Sequence, residues 1–232
     1  SLYVHLPWCL KKCPYCDFNS HEQSSSDPGV FARYAQALLR DLEDSLPLIW
    51  GRRVQSVFLG GGTPSLFEPA LIDTLLSGIR ARVMLEPGAE VTMEANPGTF
   101  ERDRFRAFAQ AGVTRLSIGV QSFNDSMLTA IGRVHTAQQA HDAVTEAASV
   151  FKTFNLDLMY ALPGQTLAML GADLDTALAF KPPHLSVYHL TLEPNTLFAK
   201  HPPPLPDDDA ASDMLDLLVD RAQIEGLERY EV

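Results

Sequence analysis

Val54-Gln55-Ser56-Val57-Phe58-Leu59-Gly60-Gly61-Gly62 starts as a strand and stops in a run of glycines. Residues from about Glu68 to Val83 then read as a helix. Glu90-Val91-Thr92-Met93-Glu94-Ala95 is a second strand, closed by the breaker Asn96-Pro97-Gly98. Strand, helix and strand in this order imply a βαβ unit and two parallel strands. The alternation continues in both directions. Upstream, Leu2–Leu6 is a short β-rich run. Pro28–Leu46 then carries apolar residues at Phe31, Tyr34, Ala35, Leu38, Leu39 and Leu42, the three-and-four spacing of an amphipathic helix. Downstream, a helix is expected around Glu101–Gln110 with Gly112 as its stop. A strand follows at Leu116–Val120, then helices at Asp125–Ile131 and Ala137–Phe151. A strand at Asn155–Tyr160 is closed by Leu162-Pro163-Gly164, a helix covers Leu167–Phe180, and Leu185–Leu190 is the sixth strand. Pro202-Pro203-Pro204-Leu205-Pro206 makes a stiff linker, and Ala210–Glu225 reads as a last helix.

Six such units predict an α/β protein built on a parallel sheet, either open or rolled into an incomplete barrel. Periodicity does not choose between the two. In both, ligands gather at the C-terminal ends of the strands. The chemically suggestive residues fall there: Cys9, Cys13 and Cys16 after the first strand, the glycines after the second, Glu94 at the end of the third and Gln121 after the fourth.

The chain has 232 residues, 46% hydrophobic and 20% charged, enough apolar material for one sizeable core. No apolar run is long enough for a membrane span, and Ser1–Leu10 lacks the plan of a signal peptide. The formal net charge of −11 opposes binding to nucleic acid, and the longest basic runs are the pairs Lys11-Lys12 and Arg52-Arg53. Ser1 is not a methionine, so the chain reads as a trimmed portion, and Gly226–Val232 reads as a strand beginning, so sequence is expected to continue past Val232. All three cysteines lie between positions 9 and 16. Crowded, odd-numbered thiols suit a reducing compartment and a metal rather than disulfides, which places the protein in the cytoplasm.

Cys9-Leu-Lys-Lys-Cys13-Pro-Tyr-Cys16 has C-x3-C-x2-C spacing. A loop this short can wrap three thiolates around one corner of a cluster, and soft thiolates suit iron–sulfur clusters and zinc. Three protein ligands on a [4Fe–4S] cluster leave one iron open. The competing arrangement is a structural zinc held by the three cysteines with His5 or His21, although zinc sites favour paired C-x2-C knuckles.

Tyr3-Val-His5-Leu-Pro7-Trp-Cys9-Leu-Lys-Lys-Cys13-Pro-Tyr15-Cys16-Asp-Phe-Asn-Ser resembles the opening of radical S-adenosylmethionine (SAM) proteins. More narrowly, it is similar to the oxygen-independent coproporphyrinogen III oxidase family, including its heme-chaperone branch. The resemblance runs on through Gly60-Gly61-Gly62-Thr63-Pro64-Ser65, Glu94-Ala95-Asn96-Pro97, Gly119-Val120-Gln121-Ser122-Phe123 and Asp157-Leu158-Met159-Tyr160. It implies an incomplete (β/α)6 radical SAM barrel, a [4Fe–4S] cluster on Cys9, Cys13 and Cys16, and SAM on the open iron. One electron from the cluster then cleaves the sulfonium bond to give a 5′-deoxyadenosyl radical, with the protein positioning the cofactors and excluding water.

The same resemblance assigns the SAM site. Gly61 and Gly62 let the backbone approach the methionyl group, and Thr63 adds a hydroxyl. Taken alone they make an ordinary glycine-rich turn, and no Walker motif is present. Glu94 can accept from the SAM ammonium; otherwise it is a solvated charge at a strand end. Gln121 and Asp157 resemble residues that bind ribose hydroxyls or neighbouring groups. Arg133 resembles a carboxylate clamp; by itself it is a helix-end cation. Tyr15 and Tyr3 resemble aromatics beside the cofactor, against the alternatives of loop packing and a core aromatic. His184, His189 and His201 are unpatterned.

Two departures bear on the branch. Coproporphyrinogen oxidases of this type carry a further cysteine two positions after the third ligand, where this chain has Phe18, and a long extension before the motif, whereas Cys9 stands near the start. Both features resemble the heme-chaperone branch, which binds heme and delivers it to hemoproteins. The enzyme alternatives are oxidative decarboxylation of coproporphyrinogen propionates, or a related methyltransferase or cyclopropanase; a tRNA-modifying enzyme fits the charge poorly. A zinc-bearing interaction module remains the non-redox alternative. The expected partners are SAM, heme or a porphyrinogen, an electron-donor protein and a hemoprotein acceptor, with no nucleic acid and no transmembrane segment. Residues 1–200 are expected to be the barrel, and 201–232 a linker and the start of a C-terminal domain.

Overall fold

The computed structural model of the chain describes residues 1–24, 27–49, 51–98 and 104–230. Six strands form one parallel sheet: β1 (Leu2–Leu6), β2 (Val54–Gly61), β3 (Leu85–Ala95), β4 (Arg115–Gln121), β5 (Thr153–Tyr160) and β6 (His184–His189). They lie in chain order, so each strand pairs with the next and β1 and β6 are the two edges. Right-handed crossovers between sequential parallel strands put all connecting helices on one face. Those helices are α1 (Val30–Ile49), α2 (Pro69–Arg82), α3 (Phe105–Ala111), α4 (Asp125–Ala130), α5 (Ala137–Val150) and α6 (Leu167–Ala179). α7 (Leu197–Lys200) and α8 (Asp208–Ile224) follow β6. This is the incomplete (β/α)6 barrel, the choice that periodicity left open.

The strands divide the molecule by the two-residue period of their side chains. Val57 and Leu59, Val91 and Met93, Leu116 and Ile118, and Leu156 and Leu158 pack in the main core with α2, α3 and α5, each no more than 2% exposed. Burying one such side chain stabilises by roughly 1.5–3 kcal/mol. The alternate positions face the barrel interior and are mostly polar or small: Gly60, Thr92, Glu94, Ser117, Gly119, Asn155 and Asp157. Register lines them up across the sheet, with Glu94 beside Ser117, Ser117 beside Asn155 and Asn155 beside His184.

Local sequence sets the helix ends. Asn124 caps α4 by accepting from Ser126 and Met127 N–H groups, and Thr136 with Gln139 forms a capping box on α5. Gly112 stops α3 with φ of 104°, as its position predicts. β3 begins earlier than expected: Pro87-Gly88 looks like a turn in sequence but lies inside the strand, where the register with β2 shifts between Val54 and Ser56. Of the expected helix at Glu101–Gln110, residues 101–103 lie outside the described residues, and the helix seen starts at Phe105. The strand expected at Gly226–Val232 is not formed over 227–230, and 231–232 lie outside the described residues. α8 packs on α6 and β5, burying Ala211 and Met214 in the main core. Among the described residues no helix is long and apolar enough to cross a membrane.

Candidate cofactor site at the C-terminal ends of the strands

The cysteine loop leaves β1 and is closed on itself. Trp8 and Cys9 pair in parallel with His21 and Glu22. His21 N–H donates to the Pro7 carbonyl at 2.8 Å and Gln23 N–H to that of Cys9 at 2.9 Å. Lys12 buckles the loop, its Nζ donating to the carbonyls of Phe18 at 2.9 Å and Ser20 at 3.0 Å. Trp8 anchors the base against Phe31, Tyr34 and Phe67, with ring centroids 4.9, 4.9 and 5.7 Å away. The three thiols are half-buried and form no disulfide.

The glycine run docks this loop. Gly62 N–H donates to the Leu6 carbonyl at 2.8 Å and Thr63 N–H to that of Trp8 at 2.7 Å. A Cβ on Gly62 would sit 2.6 Å from the Pro7 carbonyl carbon and 2.7 Å from the Trp8 oxygen, both rigid backbone. Gly61 has φ of 119°, and a Cβ there would strike the His5 ring at 2.5 Å. The glycines therefore serve the packing of the cysteine loop, a role the sequence reading did not give them. Ile131-Gly132-Arg133 meets the loop from the other side: Gly132 has φ of 72°, and its Cβ would lie 2.7 Å from Pro14.

A polar chain joins the thiols to the strand ends. Burial raises the pKa of the Cys9 thiol, against a lowering by the neighbouring Thr63 and Ser20 hydroxyls, and Ser20 Oγ lies 3.7 Å from Cys16 Sγ. Asn96 Nδ2 donates to Thr63 Oγ1 at 2.8 Å, and Asn96 Oδ1 accepts from Arg133. Arg133 also reaches the Gly119 carbonyl at 2.7 Å and Cys13 Sγ at 3.6 Å. The Tyr15 ring packs 6.4 Å from Phe198, and burial drives the pKa of its hydroxyl well up, with Cys13 nearby adding to the rise. Tyr3 stacks on Phe58 at 6.2 Å and its hydroxyl lies 2.9 Å from His5 Nδ1. His5 Nε2 lies 2.8 Å from the Asn19 carbonyl, which can only accept, so Nε2 carries the proton. Both ring nitrogens of His5 are thus engaged, and His21 Nε2 lies 3.0 Å from Asn19 Oδ1. Among the described residues no three His, Cys, Asp or Glu side chains are gathered around one ion position. A four-iron cluster instead takes each thiolate on a separate iron.

Two carboxyl groups face the interior beside this chain. Glu94 accepts from Gly61 N–H at 3.0 Å. Burial, with Asp157 adding repulsion, pushes it up to about 7. Asp157 accepts from Ser117 Oγ at 3.1 Å and Asn155 Nδ2 at 2.7 Å, yet burial raises it to about 6. Gln121 follows in a left-handed conformation with φ of 66°, at a register irregularity in β4. A non-glycine residue held there is strained, a feature that clusters at ligand sites. The structure gathers Tyr15, Gly61, Gly62, Thr63, Gln121 and Arg133 with the three cysteines at the C-terminal ends of the strands, while Tyr3, Glu94 and Asp157 lie along the strands, with Tyr3 near the start of β1 and Asp157 in the middle of β5. Sequence reasoning gave no site role to Asn96, read as a breaker and as part of the Glu94–Pro97 motif, nor to Ser20 or His5 as supports, nor to Asn155 with Ser117 as partners of Asp157. The alternation of polar with apolar residues in β4 and β5 was the signal for the last two.

The donor set fits a cluster and a cationic ligand. Three soft thiols share one loop, one arginine spans from them to the strand ends, and two half-buried carboxyls are held above their ordinary pKa by desolvation, Asp157 despite the nearby Arg133 and Arg115. This arrangement fits a radical SAM site. Residues 3–177 match the Radical SAM superfamily, and the chain belongs to it. Membership implies a [4Fe–4S] cluster and SAM. Over its full length the chain is 50% identical to the heme chaperone HemW of Escherichia coli (strain K12), covering 61% of that protein. It is 39% identical to radical S-adenosyl methionine domain-containing protein 1, mitochondrial, of Mus musculus, covering 53% of it. The solved coproporphyrinogen III oxidase HemN of Escherichia coli, described as a radical SAM enzyme, matches with a TM-score of 0.87 and 29% identity over 97% of this chain and 52% of that one. The chain spans about three-fifths of the length of the bacterial relatives it matches.

Proposed function

We propose that this chain is the radical SAM core of a heme chaperone. The observation that carries the reading is the 50% identity to a protein named as a heme chaperone across every part of the chain, against 29% to a coproporphyrinogen oxidase. Phe18 supports it: where the oxidases resembled in sequence carry an extra cysteine, this chain presents an exposed phenylalanine at the mouth of the cysteine loop. Residues 1–200 form the barrel in this reading, and 201–232 lead from it toward a further domain. The expected setting is the cytoplasm, with an electron-donor protein and a hemoprotein acceptor as partners and heme as cargo.

Cys9, Cys13 and Cys16 hold the [4Fe–4S] cluster, and the cluster with SAM supplies one-electron cleavage of a sulfonium bond. The chain's own residues prepare the site. Arg133 would stabilise charge on the Cys13 sulfur, and the Ser20 hydroxyl on that of Cys16. Glu94 would take the SAM ammonium, and Arg133, already at the strand ends, would pair with its carboxylate. Gln121 and Asp157 take ribose hydroxyls, and Tyr3, Tyr15 and the backbone of Gly61-Gly62-Thr63 wall the pocket.

The test is anaerobic reconstitution of the protein, followed by heme titration and separate incubation with SAM, reductant and coproporphyrinogen III. Stoichiometric heme binding without porphyrinogen turnover is expected. Protoporphyrinogen IX formed together with 5′-deoxyadenosine would instead make it the dehydrogenase, the reading favoured by the close fold match to the oxidase.

A further inference from the structure

Gln121 is not free to choose its conformation. Val120 C=O accepts from Ser122 N–H at 2.9 Å across it, a three-residue turn with the central residue at φ of 66°. Turns of this hand are rare and strained, and persist where their surroundings over-determine them. Two buried side chains from outside the strand do this. Asp173, on α6 and 4% exposed, accepts the Ser122 hydroxyl on one oxygen at 2.6 Å and Phe123 N–H on the other at 2.8 Å. His135, also 4% exposed, meets the Val120 carbonyl through Nε2 at 3.1 Å. Ser122 itself is fully buried, and its oxygen accepts from Asn124 N–H at 3.0 Å.

We infer that Asp173 is a positioning residue for SAM. It locks Ser122 and Phe123 from the outer helix layer and so holds Gln121 in the strained turn that aims its amide into the cofactor pocket, with His135 fixing the carbonyl before it. This rests on the reading that Gln121 contacts SAM. A carboxylate suits the task because its two acceptor oxygens bind a hydroxyl and a backbone N–H together. An apolar residue at 173 would leave both donors unpaired in the core. Nothing in the composition of α6 calls for an acid there: its neighbours Leu170, Leu174 and Ala177 are fully buried apolar residues.

The experiment measures SAM affinity by calorimetry on the reconstituted protein for Asp173→Ala, Asp173→Asn, Gln121→Ala and the double variant Gln121→Ala/Asp173→Ala, with iron and sulfide assayed in each. Loss of one or two hydrogen bonds to a charged group predicts a weakening on the order of tenfold in Asp173→Ala. Asp173→Asn keeps an acceptor for Phe123 and should recover most of it, and Ser122→Ala should fall between. Cluster content should stay near the native value. The double variant should bind no more weakly than Gln121→Ala, because Asp173 acts through that residue. Losses that multiply, or an unchanged Asp173→Ala beside a weakened Gln121→Ala, would overturn the positioning role while leaving the SAM site in place. Unchanged binding in Gln121→Ala would overturn the SAM contact itself, and the positioning role with it. If Asp173→Ala does not fold, Asp173→Asn and Ser122→Ala carry the same comparison.

Discussion

The two faces of one sheet do different work. On the helix side, Leu116, Ile118, Leu156 and Leu158 are sealed in the core. One residue away on the same strands, Ser117, Asn155 and Asp157 form a polar ladder into the barrel interior. The outer face is built for stability. The inner face works against it, since burial holds Glu94 near 7 and Asp157 near 6, well above their ordinary values. A cation in the pocket would repair that cost, so the unfavourable charge placement and the ligand preference have one cause.

The comparison breaks first at the cysteines, which belong to neither face. Replacing Cys9, Cys13 or Cys16 by Ser should abolish the cluster, read as loss of bound iron and sulfide; full retention in all three would refute the ligand set. On the outer face, Ile118→Ala should cost roughly 2–5 kcal/mol in chemical unfolding while leaving SAM affinity of the folded fraction intact. Gly62→Ala forces a Cβ into the Pro7 and Trp8 backbone. It should slow or reduce cluster loading, with a smaller loss of stability than Ile118→Ala. On the inner face, Glu94→Ala or Arg133→Ala should weaken SAM binding with the cluster largely intact.

The smallest effect sharpens the contrast most. Glu94 and Asp157 hold their protons more tightly in the fold than in the unfolded chain. Raising pH from about 4 to about 7 therefore removes protons that the fold favours, and the ligand-free protein loses stability over that window. Glu94→Gln should flatten part of this fall and raise the melting temperature of the ligand-free protein at pH 8, the opposite sign to the outer-face variant.

The fold was legible because strand and helix periods are local: the order of strands, helices and breakers, and the glycine stop at Gly112, follow from nearest neighbours in sequence. Where Pro87-Gly88 sits inside β3, or where four residues after Thr196 wind into α7, tertiary packing decided instead. The site was legible at its anchors, because three crowded thiols and an acid ending a strand are visible in one dimension. Asn96, His5 and Asp173 were not, since their partners lie far away in sequence: Asn96 bridges Thr63 and Arg133, His5 ties β1 to Asn19, and Asp173 reaches Ser122.

The central claim is that the half-buried carboxyls of the inner face favour a cation beside the cysteine loop. Its most direct test is the SAM dissociation constant against pH, from 6 to 8, for the reconstituted native protein and Glu94→Gln. Ionisation of Glu94 near 7 predicts that native affinity rises through this range while the variant binds more weakly and with a flatter profile. Identical profiles and affinities in the two proteins would contradict the account.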